Sequence, residues 1–513
     1  MRLTSNVAAA LLGLVPEFAL ATSPSETASA DQCCAALATS DIGDKVVYAG
    51  DAAYRNSESS YWAVNVQLEP TCIVQPQTVE DVSVAVRTLT EAEADSPCKF
   101  AVRSGGHTTW AGANDIEDGA TIDLSHMNST IYDEESRIAS ILPGSRWEAV
   151  YKTLEPYDVV VPGGRTGPVG VGGFMLGGGN SFHAARVGLA CDSVVNYEVV
   201  LASGRIVSAN NVTNRELFKA LKGGSGNFGI VTKYDIKAID SAHLWGGITA
   251  YDNSTTDQHI DGVVKFVDNI HKDPYASWIG VWTFNSTTGQ TLITSPMEYT
   301  TPKARPAAFN DFYKIPNISS TTRFATLYNL TAEIVQPGGY RAIANKRSDI
   351  FLTGTYLNSA DVLRKSIHIL NEKIEAARPL AQGKDWTMVT IIQPWPKLFW
   401  QRNQNNGVGN VLGLERFDDN MVQVLYDYSW DNDADNALFQ RLCIEALDEL
   451  DEYAKSIGKY NEYVYLNYAD GTQNPLRGYG DESLEFIRDV AQRYDPDGVF
   501  QKQVPGGFKY STA

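Results

Sequence analysis

The sequence predicts an α+β protein, on three observations. Over residues 65–240, short apolar runs and amphipathic stretches are joined by glycine-rich connections, the pattern of mixed strands and helices around one core. From 241 to 460 aromatic residues become frequent, and strand-like runs alternate with helical ones. That alternation reads as a large antiparallel sheet backed by helices. With 513 residues and 43% hydrophobic content, the chain is also long enough for two or more cores.

The elements follow in order. Residues 1–21 read as a secretory signal peptide: Arg2 is the positive start, 7–15 the short apolar region, and Ala19-Leu20-Ala21 a small-residue cleavage site. Six N-x-S/T sequons, at Asn128, Asn211, Asn253, Asn285, Asn317 and Asn329, favour the same secretory route and glycosylation. Cys33, Cys34, Cys72 and Cys98 crowd the first hundred residues with no zinc spacing, so no metal site is expected. Two disulfides should tie Cys33 and Cys34 to Cys72 and Cys98, fastening the N-terminal segment to the first domain. Of the three possible pairings, the one joining adjacent Cys33 and Cys34 is disfavoured on geometry. Cys191 reads as a buried small apolar residue.

Residues 72–74 form a strand, and 78–90 a helix capped by Thr78. Residues 100–102 are the next strand, completing a βαβ unit; 121–124 and 137–142 are further strands, and a helix runs through Leu154. Residues 194–201 and 205–208 make a hairpin across Ala202-Ser203-Gly204. In the second part, 245–251, 276–284 and 290–296 read as strands, 257–270 and 440–456 as helices. The net charge of −19 argues against nucleic acid or an anionic membrane as partner.

The chemistry concentrates in two glycine-rich loops. The first, Arg103-Ser104-Gly105-Gly106-His107, empties from a strand; its paired glycines let backbone approach a ligand, Arg103 adds charge for a phosphate, and His107 is a nucleophilic ring held there. The second, 163–179, holds nine glycines in seventeen positions, a composition that argues against a helix or a filled strand. Its Val169, Val171, Phe174, Met175 and Leu176 are too apolar for a linker, so both loops are expected to line one extended ligand. Gly224-Ser225-Gly226-Asn227-Phe228-Gly229 satisfies G-x-G-x-x-G, but it follows a helix and precedes a strand. That is the reverse of the dinucleotide fingerprint, and a Rossmann site is rejected.

These segments, with Ile122-Asp123-Leu124-Ser125, Val169-Gly170-Val171-Gly172-Gly173, Gly226-Asn227-Phe228-Gly229-Ile230-Val231-Thr232, Tyr465-Leu466-Asn467-Tyr468 and 494–500, resemble the berberine-bridge-enzyme-like oxidoreductases of the vanillyl-alcohol oxidase superfamily, as a fungal secreted type. The resemblance implies a PCMH-type FAD-binding domain in two parts, 22–240 and a returning segment 461–513, with a substrate domain at 241–460. It implies an FAD site made by Arg103, Ser104, Gly105, Gly106, His107, Thr108, Ser125, Gly164, Gly167, Val169, Gly170, Gly173, Gly177, Gly178, Gly229, Val231 and Asn467. His107 matches the histidine that binds the flavin covalently. The family's second attachment, through Cys, falls at Thr166 here, so a single link is expected.

Tyr465 matches the tyrosine that takes the substrate's hydroxyl proton while hydride passes to the flavin. That role calls for a depressed pKa and a buried positive partner, and alternation puts Tyr463, Tyr465 and Asn467 on one face of a strand. Gln393, Trp395 and Tyr463 are substrate-lining candidates, and Val169 sits where oxygen access is controlled, favouring oxidase behaviour. The favoured activity is oxidation of a small organic molecule, an alcohol, a phenol or a ring-forming substrate of secondary metabolism, with molecular oxygen as acceptor. The alternatives are a secreted carbohydrate oxidase making lactone and hydrogen peroxide, and a flavin-loaded protein without turnover.

Overall fold

The computed structural model describes residues 24–334, 347–403 and 407–513; the signal segment lies outside them. The first part is built on two sheets. Val46–Val47, Cys72–Val74, Ala120–Asp123 and Phe100–Arg103 form a four-stranded sheet in that order, parallel across its last three strands. The helix Val79–Glu91 makes the crossover between Cys72–Val74 and Phe100–Arg103. It starts where predicted: Thr78 accepts from the Asp81 N–H while the Asp81 carboxylate accepts from the Thr78 N–H, a capping box that contributes about 1 kcal/mol. Cys33–Cys98 and Cys34–Cys72 disulfides pin the helix Pro24–Thr39 onto this sheet, resolving the open pairing. Cys191 and Cys443 are free and buried.

The second sheet is antiparallel, ordered Thr130–Asp133, Ile138–Ile141, Ile230–Lys237, Val194–Val200, Ile206–Asn210, and contains the predicted hairpin. The third is a ten-stranded antiparallel sheet whose central strands, Gly280–Asn285, Trp386–Trp395, Met421–Trp430 and Ser348–Leu357, are almost wholly buried. Helices Thr256–Asn269, Ala360–Ala377 and Asn436–Ser456 back it, each burying one apolar stripe. The single strand expected over 276–284 is two, Ala276–Trp278 and Gly280–Asn285; at the break Ile279 donates to Pro296 O, and proline has no N–H to return the bond.

The C-terminal residues return to the first sheet. The Phe100 N–H donates to Gln503 O, Asn227 donates to Phe508 O, and Phe500 and Val504 join the first domain's core. The Asp495 carboxylate holds this turn by accepting from the N–H groups of Val499 and Phe500.

Two further segments differ from the sequence expectations. Glycine did not exclude a helix from 163–179: Val171–Leu176 is one turn and a half of helix. Val171 and Met175 are buried on one face, and Ser104 Oγ accepts from the Gly172 N–H, so tertiary contacts outweigh poor propensity. Tyr463 to Asn467 is not a strand either. Tyr463 donates its N–H to Asn461 Oδ1, and the Tyr468 N–H turns back onto Tyr465 O, which starts the 3₁₀ turn Leu466–Tyr468.

Candidate active site

One cavity of about 340 Å³ runs between the two parts of the fold. The two predicted glycine loops make one wall. Gly105 and Gly170 approach so closely that a Cβ on either would lie 2.5 Å from the other's Cα. Ser104 Oγ ties the loops together by donating to Pro143 O and accepting from the Gly172 N–H at 3.1 Å. Added Cβ atoms on Gly173 and Gly226 would meet nothing within 4 Å, and both residues line the cavity. The 224–229 loop thus lines the same cavity, although a strand and not a helix follows it.

Ser104, Gly105, Gly106, His107, Thr108, Gly164, Val169, Gly170, Gly173, Gly229, Val231 and Asn467 all border this space. Arg103, Ser125, Gly167, Gly177 and Gly178 do not. The Arg103 guanidinium points away from the ligand side. It is fully buried, donates to Ser57 O and Oγ and to Ser60 Oγ, and lies 3.8 Å over the Tyr61 ring. It braces the strand end and offers no charge to a phosphate. Gly177 serves the site from behind, because any Cβ there would collide with Asn467 Oδ1.

His107 faces the cavity with its ring stacked on Trp62, centroids 4.1 Å apart and 22° between planes. Trp62 is held in turn by its indole N–H donating to Asp349 at 3.0 Å. Burial, helped by the nearby Arg146 charge, pushes the imidazole down to about 3. It is therefore neutral at pH 7, the form that is a nucleophile. Its Nε2 is buried without a hydrogen-bond partner among the described residues. A buried unpaired polar atom beside a glycine-lined cavity fits a large ligand that approaches backbone closely, and FAD meets that description.

Tyr465 shares the cavity and is 1% exposed. Its hydroxyl oxygen accepts from the Asn180 N–H at 2.7 Å and from Asn467 Nδ2 at 2.9 Å, and Asn467 is anchored by donating also to Phe174 O. Both donors favour the phenolate, as does the Arg165 charge, but burial outweighs them and pushes the phenol up. The depressed value expected from the sequence is not found; the expected positive partner is Arg165. Trp395 and Tyr463 are corrected as well. Neither lines the cavity: Trp395 lies 5.0 Å from the Tyr465 ring and stacks on Tyr463, so both support the tyrosine from behind. Gln393 does line it, accepting from Arg165.

Four residues the sequence reading missed matter here: Trp62, Asn180, Arg165 and Lys509. Arg165, 8% exposed, also donates to the Tyr468 hydroxyl at 2.9 Å. An arginine amid glycines and apolar residues was its signal. Lys509, 8% exposed, borders the cavity with Ser225 and Gly226, and burial pushes it down to about 7. Nothing local in the sequence marks it.

The chain is similar to known FAD-binding proteins. Residues 70–210 match the FAD binding domain family. The chain is 52% identical over 94% of its length to the FAD-dependent monooxygenase sdcF of Emericella nidulans, covering 98% of that protein. It is 42% identical over 94% of its length to the FAD-dependent monooxygenase drtC of Aspergillus calidoustus, covering 90% of it. Among solved structures, the carbohydrate oxidase of Microdochium nivale shares the fold at a TM-score of 0.71 and 20% identity, over 92% of this chain and 98% of that one. The berberine bridge enzyme shares the fold as well, at a TM-score of 0.70 and 15% identity, and the chain belongs to the family of these fungal FAD-dependent monooxygenases, with an FAD binding domain over residues 70–210.

Proposed function

We propose that the protein oxidises a small organic molecule of secondary metabolism, with FAD held by one covalent bond to His107 and molecular oxygen as the final acceptor. The observation that carries this reading is the meeting of a neutral, unpaired His107 and a doubly hydrogen-bonded Tyr465 in one glycine-lined cavity. The glycine loops with Gly229, Val231 and Lys509 would hold the cofactor, and FAD would supply the hydride acceptor. Thr166 lines the cavity where the family's second attachment carries Cys, which supports a single link.

In this reading Tyr465 takes the substrate's hydroxyl proton. Its oxygen is fixed by two N–H donors that become stronger partners as negative charge develops on it. Asn467, seated against Gly177, keeps that oxygen in place, while Trp395 and Tyr468 fix the ring. Val169 borders the cavity with a modest side chain, supporting access of oxygen. Ile279, Val281, Ile391 and Leu425 face the substrate side, an apolar surface that favours an aromatic or alicyclic molecule over a carbohydrate.

We read the chain as a signal over 1–21, an FAD part over 22–240, a substrate part over 241–460 and a closing segment over 461–513. Passage through the secretory pathway is supported by the two disulfides and by sequon exposure. Asn128, Asn211, Asn317 and Asn329 are exposed, and Asn253 and Asn285 partly so. The test is anaerobic mixing of purified protein with phenols, benzylic and alicyclic alcohols, and oligosaccharides. Flavin bleaching by members of the first groups supports the proposal. Bleaching by oligosaccharides alone would replace it with a carbohydrate oxidase, and bleaching by none with a protein without turnover.

A further inference from the structure

We infer that the substrate carries an acidic oxygen, a carboxylate or an ionised phenol or enol, which pairs with Arg165 beside Tyr465. This inference rests on the proposed oxidoreductase reading and narrows its substrate class. Arg165 is a buried guanidinium on the cavity wall, and among the described residues it forms no ion pair with a carboxylate. Its two hydrogen bonds run to neutral groups, Gln393 Oε1 and the Tyr468 hydroxyl, and both leave from Nη2. A desolvated cation with spare donors and no counter-ion is costly unless a ligand provides the charge.

The nearby acid Glu298 is 1% exposed, burial pushes its carboxyl up, and among the described residues it makes no ion pair with Arg165. Ile279, Val281, Ile391 and Leu425 give the same cavity an apolar wall. One fixed cation on an apolar wall selects a compact apolar body with a single anionic group, which the remaining Nε–H and Nη1–H donors can meet with a charge-assisted hydrogen bond. Gln393 and Tyr468 hold the guanidinium through Nη2, so little side-chain freedom is lost when the anion arrives.

The test uses the purified flavoprotein and two probes of one shape, benzoate and benzamide, followed through the flavin's visible band and through tryptophan fluorescence. Benzoate should bind about tenfold or more tightly than benzamide, the preference of a charge-assisted over a neutral hydrogen bond. Arg165→Gln should erase the preference and Arg165→Lys should keep part of it. Gln393→Glu should also abolish it, by giving Arg165 an internal carboxylate without changing the shape of the site. Equal affinities, no saturable benzoate binding, or a preference that survives both Arg165→Gln and Gln393→Glu would overturn the inference. The flavin spectrum separates the two levels: protein without flavin refutes the oxidoreductase reading, whereas flavin-loaded protein indifferent to benzoate refutes only the anionic substrate.

Discussion

Replacing Tyr465 with Phe removes one oxygen from the centre of the site and little else. The ring keeps its packing against Trp395 and Tyr468, each at 5.0 Å, so the substitution leaves the surrounding shape in place. Two N–H donors lose their acceptor. Asn467 retains Phe174 O, but the Asn180 N–H has no second acceptor among the described residues, and an unsatisfied buried amide costs about 1–3 kcal/mol. Loss of a positioned proton acceptor lowers the rate by about 10²–10⁴-fold, or about 3–5 kcal/mol of barrier. The assay is anaerobic rapid mixing with a bleaching substrate, with urea unfolding of the same preparation. Because burial pushes the phenol up, the wild-type reduction rate should climb as pH rises above neutral, and Tyr465→Phe should lose that limb. A variant that reduces its flavin within about threefold of wild type, with the pH limb intact, would refute proton transfer to Tyr465.

Three other perturbations follow from the same geometry. Gly177→Ala drives a methyl group into Asn467 Oδ1 and should pull that amide off Tyr465, lowering the flavin reduction rate about tenfold while flavin content stays normal. Trp62→Ala removes the surface on which His107 stacks, so the fraction of flavin surviving acid precipitation should fall while total bound flavin changes less. His183 is 1% exposed and its burial pushes it down to about 3, so the unfolded chain binds the extra proton below its ordinary value. Stability should therefore be lost as pH falls from about 6.5 toward 3, by an order of a few kcal/mol, and His183→Phe should flatten that slope in urea titrations at successive pH values.

The parts of the fold legible in the sequence are those where local chemistry and tertiary structure ask for the same thing. Thr78 with Asp81 closes a capping box wherever it stands before an apolar stripe, and 194–208 makes its hairpin from residues that pair with each other. Gly105 and Gly170 read as glycines that let backbone approach a ligand; they also pack on each other, where a Cβ on either would lie 2.5 Å from the other's Cα. What was missed depends on partners distant in the chain. The helix Val171–Leu176 is held by Ser104, 68 residues away from Gly172. Arg103 looked like a phosphate ligand, yet Ser57 and Ser60 claim its guanidinium from 46 and 43 residues upstream. Trp395 and Tyr463 carry the right chemistry for a pocket but stand one layer behind it, and a strand's alternation cannot distinguish those layers. Arg165 finds Gln393 and Tyr468 across 228 and 303 residues, a meeting no sequence window contains.

The covalent bond proposed between FAD and His107 can be read from a visible spectrum taken before and after acid precipitation. Yellow absorbance should stay with the pellet in the wild-type protein and be absent from the pellet of His107→Ala. Colour released to the supernatant from wild type would show a dissociable cofactor and contradict the covalent bond; folded protein with no flavin at all would contradict the account of the cavity itself.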